Sequence, residues 1–242
     1  MTRATVPGTA AERLAQELYG GLPIDPLAEE ITTWLAGSKR FRAFAEAHRD
    51  KIRKKLRGAA DDDARRDVRA ELAVAHRLLD DRRIELAFEA YGSGKRGPDF
   101  TVTYRERRSF NLEVTRPHRS PDAASYAGPL LAKLRQLPPS APNAVLLAID
   151  GAGAEAFDAA AAARDLRARA DAKDEDFFTH RGFAGTRGFY ERYLRLGAVL
   201  VWCEAAAGEA RASLWTNASA RIALPERAAQ ACLARLREDN GL

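Results

Sequence analysis

The run NAVLLAID, residues 143–150, constrains the fold more than any other stretch of this sequence. From Ala144 to Ile149 every residue is apolar, so neither face of the segment belongs in water. A short run of this kind, without alternation, is what a central strand flanked by helices requires. It therefore predicts an α/β protein, and the rest of the chain has to supply neighbouring strands and covering helices. Strand-like runs occur at 84–91, 100–104, 110–115, 198–203 and 212–215. Helix-like periodicity covers about 62–81, 125–137, 154–173, 186–195 and 226–238.

Ahead of these lies a purely helical stretch, 9–57. Leu14, Leu18 and Tyr19 mark one helix, and Pro26 opens a second carrying Leu27, Ile31 and Leu35. Ser38 caps a third that is read as continuous to Gly58, with Phe41, Phe44, Ala45, His48, Ile52 and Leu56 on its apolar stripe. The division expected is an N-terminal helical extension, 1–58, and one α/β domain, 59–242. The hydrophobic fraction of 46% fills a core for a domain of that size, and the net charge of +5 permits a nucleic-acid partner. The two cysteines, Cys203 and Cys232, lie in apolar runs and read as buried free thiols. No apolar run reaches the length of a membrane span, and the N-terminus lacks a signal-peptide core, so the expectation is a cytoplasmic protein with no membrane partner.

Chemistry concentrates in GPDFTVTYRERRSFNLEVTRP, residues 97–117. Asp99 opens one strand and Glu113 lies inside the next. Alternation puts Asp99, Thr101 and Thr103 on one face, and Asn111, Glu113 and Thr115 together on the polar face of the partner. With the turn centred on Arg107, Thr101 opposes Glu113 and Asp99 opposes Thr115. The two acids are then diagonal neighbours, roughly 7–8 Å apart at the backbone, a spacing that a divalent metal can bridge. A slip of one residue would break this parity. A third acid, Glu71, lies on the apolar face of the 62–81 helix, where a carboxylate costs several kcal/mol unless it finds a partner. An arginine from the extension is one such partner.

Glu71, Gly97-Pro98-Asp99 and Glu113-Val114-Thr115, in the order α, β, β, β, α, β over about 62–150, resemble the PD-(D/E)xK, or restriction-endonuclease-like, nuclease superfamily. The resemblance implies an αβββαβ core with a mixed central sheet flanked by helices. It implies magnesium (or manganese) held by Glu71, Asp99 and Glu113, and hydrolysis of a phosphodiester bond, in DNA more than RNA. Many enzymes of this fold act as dimers, so a homodimer is compatible with it. Thr115 departs from the pattern, because the family has lysine there. Some members carry that lysine on the following helix. In SYAGPLLAKLRQL, Lys133 borders the apolar stripe of Leu130, Leu134 and Leu137, and Gln136 lies one turn on. Lys133 is the candidate replacement, expected within about 4–6 Å of Glu113, with Gln136 as a supporting polar group. Two alternatives stay open: a catalytically inactive member that binds nucleic acid or a protein partner, and an unrelated α/β protein whose hairpin mimics the motif.

Two further features fit a nucleic-acid partner. Lys39, Arg40, Lys51, Lys54 and Lys55 lie on the charged face of the third helix, and Lys95 and Arg96 in the GSGKRG loop before Pro98, all as phosphate contacts. The segment 177–193, FFTHRGFAGTRGFYERY, interleaves aromatics with Arg and Gly. It suits base stacking, or equally a loop pinned to the core by its rings. None of the four histidines has metal-ligand spacing, although His118, just past the Glu113 strand, is placed to approach the site.

Overall fold

The computed structural model of the chain describes residues 9–20, 22, 25–90, 97–117, 127–149, 157–204 and 210–237. Contacts divide it into two compact units, 1–80 and 81–242. The boundary read from the sequence, 58/59, falls inside the first of them.

The first unit holds α1 (Ala10–Tyr19), α2 (Pro26–Gly37), α3 (Lys39–Ala47), α4 (Arg49–Gly58) and α5 (Asp62–Leu79). Side-chain caps start four of them. Thr9 and Glu12 form a capping box at α1, and Asp25, Ser38 and Asp61 each accept a backbone N–H from the first turn of α2, α3 and α5. The third helix of the sequence reading is in fact two. His48 leaves the helical conformation (φ −113°, ψ 18°) and ends α3, and α4 begins at Arg49. The break lets Phe41, Phe44 and Ala45 on one segment and Ile52 and Leu56 on the other all be buried. The His48 ring packs 4.9 Å from that of Phe44, and burial, followed by the nearby Lys51 charge, holds its pKa below the ordinary histidine value.

The second unit is α/β, with a six-stranded open mixed sheet: β1 (Ile84–Phe88), β2 (Phe100–Tyr104), β3 (Arg108–Thr115), β4 (Asn143–Ala148), β5 (Leu196–Glu204) and β6 (Ala210–Thr216). The strands lie side by side in chain order. β1–β2, β2–β3 and β5–β6 pair antiparallel, while β3–β4 and β4–β5 pair parallel. Each parallel step crosses over through helix: α6 (Ala127–Leu134) between β3 and β4, then α7 (Ala159–Asp171), α8 (Glu175–Thr179) and α9 (Gly185–Tyr193) between β4 and β5. α10 (Glu226–Arg237) follows and packs on β6. Every residue of β4 is buried, as its unbroken apolar run requires. One core cluster joins Leu130, Leu131, Leu134 and Leu137 from the α6 region to Val145 and Leu147 of β4, Val199 and Val201 of β5, and the rings of Phe178, Phe183, Phe189 and Tyr193. The aromatics of 177–193 are thus core residues. Phe177, the partly buried one, lies between the guanidinium groups of Arg169 and Arg181. Both cysteines are buried and free, and burial pushes the Cys232 thiol up to about 12.

The β2–β3 hairpin differs from expectation in register. Tyr104 pairs with Arg108 and Phe100 with Leu112, so the turn centres on Glu106 rather than Arg107. Arg105 and Glu106 take positive φ (52° and 57°) to close it. No Gly or Asn marks that position, which is why the sequence does not locate the turn centre. Moving the centre by one residue moves the register by two, so side-chain parity survives.

The turn into β1 provides a pH test. The Asp81 carboxylate accepts from the Arg83 backbone N–H (2.8 Å) and from its guanidinium (2.7 and 2.9 Å). These hydrogen bonds hold its pKa below the usual carboxylate range. A group depressed in the folded state contributes stability above its unfolded pKa, about 3.9, and loses it as the pH falls through the folded value. Asp81→Asn is therefore expected to lower the thermal midpoint at pH 6, with the gap to wild type closing below about pH 4. A pH series of melting curves measures this, and a gap that does not change with pH would remove the Asp81 carboxylate as its cause.

Candidate functional site

Glu113 sits in the middle of the sheet with only 2% of its surface exposed. Its register partner on β4 is Val145, so its side chain stands on the face covered by α6. α6 has only eight residues, too few to hold its shape alone in water, and is fixed by burying Leu130, Leu131 and Leu134. Each such leucine contributes roughly 1.5–3 kcal/mol. That anchoring delivers Lys133, at the edge of the buried stripe, to Glu113: its ammonium donates to Oε1 at 2.5 Å. The lysine side chain keeps 22% exposure. The pair thus joins a deeply buried carboxylate to an ammonium with a route to solvent.

Asp99 precedes β2 in a bend. One step beyond the last ladder pair, Phe100–Leu112, it falls opposite Glu113. Its Oδ2 accepts the Val114 N–H at 2.8 Å, continuing by side chain a ladder that the backbone has left. The polar column on this face continues away from the acids. Thr101 is paired with Asn111, whose amide donates to Asn143 Oδ1 at 2.9 Å. Asn143 Nδ2 in turn lies 2.8–3.0 Å from the carbonyl oxygens of Pro138, Ala141 and Arg195. The sequence reading placed Asn111 on the Glu113 face by parity but assigned it no role. Asn143 carried no signal beyond being the polar residue at the start of the apolar run.

The remaining expected residues are placed as follows. Gln136 lies in the turn after α6 with its N–H on the Lys133 carbonyl (2.9 Å), and its side chain makes no hydrogen bond among the described residues. Glu71 belongs to the first unit, where its carboxylate accepts from Lys55 at 2.5 Å, so the partner from the extension is a lysine rather than an arginine. The basic face of α3 and α4 is largely turned to internal use. Besides Lys55, Arg40 donates to the Leu79 carbonyl, Arg42 to that of Leu35, Arg57 to that of Gly20, and Arg49 to Glu17. Lys39 and Lys54 are exposed and Lys51 is partly so. Lys95, Arg96 and His118 lie outside the described residues.

Asp99 and Glu113 offer only carboxylate oxygens, the hard donors that magnesium and manganese take. Among the described residues no three His, Cys, Asp or Glu side chains form a group that could hold a metal ion. Magnesium commonly takes one or two carboxylates and completes its shell with water and phosphate oxygens, so a two-acid site fits it in kind and number. No helix among the described residues is long and apolar enough to cross a membrane. Compared with known protein families, with curated proteins and with solved structures, the chain matches none.

Proposed function

We propose that the second unit is a PD-(D/E)xK-type, metal-dependent phosphodiester hydrolase acting on DNA, with Asp99 and Glu113 as metal-holding acids and Lys133 in place of the lysine missing at Thr115. The observation that carries this reading is the 2.5 Å contact between Lys133 and Glu113. A basic residue from the helix after β3 stands on the very acid that precedes the substituted position. The element order α5, β1, β2, β3, α6, β4 supports it, as does the placement of Asp99 opposite Glu113.

A bound magnesium or manganese ion would supply Lewis-acid stabilisation of charge on the phosphate. The chain's own residues do the positioning. Val114 fixes Asp99 through its N–H, the leucines of α6 fix Lys133, and β3 fixes Glu113 between them. Lys133 places a permanent positive charge beside the acids, where it lowers the cost of negative charge gathering on the reacting phosphate.

The same contacts favour one alternative. A buried ion pair and an acid that completes a strand ladder are also what a catalytically silent binder of nucleic acid or protein would retain. Cleavage separates the two. Purified protein with magnesium or manganese is expected to nick supercoiled plasmid, and EDTA to stop it. Binding of the plasmid with no nicking in either metal would select the silent reading.

A further inference from the structure

Away from the two acids, three arginines gather where α9 runs into β5. Arg192 lies in the last turn of α9, and the Arg195 N–H donates to the Arg192 carbonyl (3.0 Å). Arg221, from the segment after β6, is tied to the same turn by its N–H on the Leu194 carbonyl (2.8 Å). Arg195 is partly buried. One of its terminal nitrogens donates to the Leu137 carbonyl (3.2 Å), while its Nε is buried with no hydrogen-bond partner. Among the described residues no carboxylate lies within ion-pair distance of Arg192, Arg195 or Arg221. The nearest acid in sequence, Glu191, is engaged with Arg187 at 3.5 Å. The guanidinium of Arg195 is held below the ordinary arginine value by burial and then by the charges of Arg192 and Arg221.

Like charges collected around a partly buried guanidinium repel one another, and a carbonyl such as that of Leu137 carries no formal charge to offset them. A planar guanidinium with an unused N–H is also the preferred donor for phosphate oxygens. We infer that Arg192, Arg195 and Arg221 form an anion site for a phosphate group, built on the α9–β5 turn and separate from Asp99 and Glu113. The phosphate belongs either to a nucleic-acid backbone or to a small phosphorylated molecule.

Thermal unfolding in sodium phosphate and in sodium chloride at matched ionic strength tests the site. Phosphate stabilises many proteins without a specific site, so the measured quantity is the difference between wild type and variant. Wild type is expected to gain about 2–4 °C more from phosphate than Arg221→Ala, a change at an exposed side chain that leaves the core intact. Arg195→Gln is expected to lose the same increment. Equal shifts in wild type and Arg221→Ala overturn the inference, as does a wild type that responds no differently to phosphate than to chloride. The source of the phosphate follows from binding of a labelled oligonucleotide across a salt series. A slope that falls by about 1 in Arg221→Ala assigns the site to a phosphodiester backbone. An unchanged slope, with the phosphate increment present, assigns it to a small phosphorylated ligand. The Glu113→Gln protein is expected to keep the phosphate increment whether or not wild type cleaves DNA, so this result stands apart from the catalytic proposal.

Discussion

Lys133→Met is expected to destabilise the protein by about 3–5 kcal/mol, because it leaves the Glu113 carboxylate, 2% exposed, without its ammonium. Glu113→Leu is expected to cost a similar amount by stranding Lys133, somewhat less because that side chain has a path to water. The two changes together should recover most of the loss, since a buried ion pair replaced by apolar groups of similar volume is often neutral or better. Urea unfolding of the two single variants and the double variant, followed by circular dichroism, gives the coupling directly. A single-variant loss under 1 kcal/mol would mean that the pair behaves as a screened surface contact. α6 would then not hold the lysine where the structure places it.

The second large effect is on cleavage. Lys133→Ala is expected to slow plasmid nicking on the order of 10²-fold, the usual loss for one electrostatic donor, while DNA affinity changes far less because phosphate contacts are spread over many residues. The position it replaces offers a rescue. Thr115 shares the face of Glu113 and is paired with Leu147 on β4, so a lysine introduced there emerges on the side that Lys133 now serves. Lys133→Ala with Thr115→Lys should regain part of the rate. Nicking that is unchanged by Lys133→Ala, in protein shown to be folded, would end the idea of a relocated lysine.

How much of this was legible in the sequence varied with the kind of signal. The central strand was, because six consecutive apolar residues leave no other place for β4. The shared face of Asp99 and Glu113 was legible too, because parity is insensitive to a two-residue register shift. The register itself was not, since Arg105 and Glu106 adopt positive φ without a glycine to announce it. The break at His48 escaped notice because the apolar stripe reads straight through it. Only the packing of α3 and α4 shows that two short helices bury those residues. The largest misreading concerned charge. Arg40, Arg42, Lys55 and Arg57 look like a solvent-facing basic surface, yet each is spent on a carbonyl or carboxylate within its own unit. Sequence spacing cannot distinguish these uses, because both need long cationic side chains on one helix face. The 177–193 segment is the same lesson in aromatics, as rings at helical spacing proved to be core.

The claim that Glu113 is a catalytic acid is tested most directly by a single-turnover nicking assay. It compares wild type with Glu113→Gln, in magnesium and in EDTA, at matched folded protein. The substitution keeps the shape and a hydrogen-bond acceptor for Lys133 but removes the charge that would hold a metal. The account predicts nicking by wild type that depends on magnesium, and none above background by Glu113→Gln. Nicking by Glu113→Gln at the wild-type rate, or by wild type in EDTA, would contradict it.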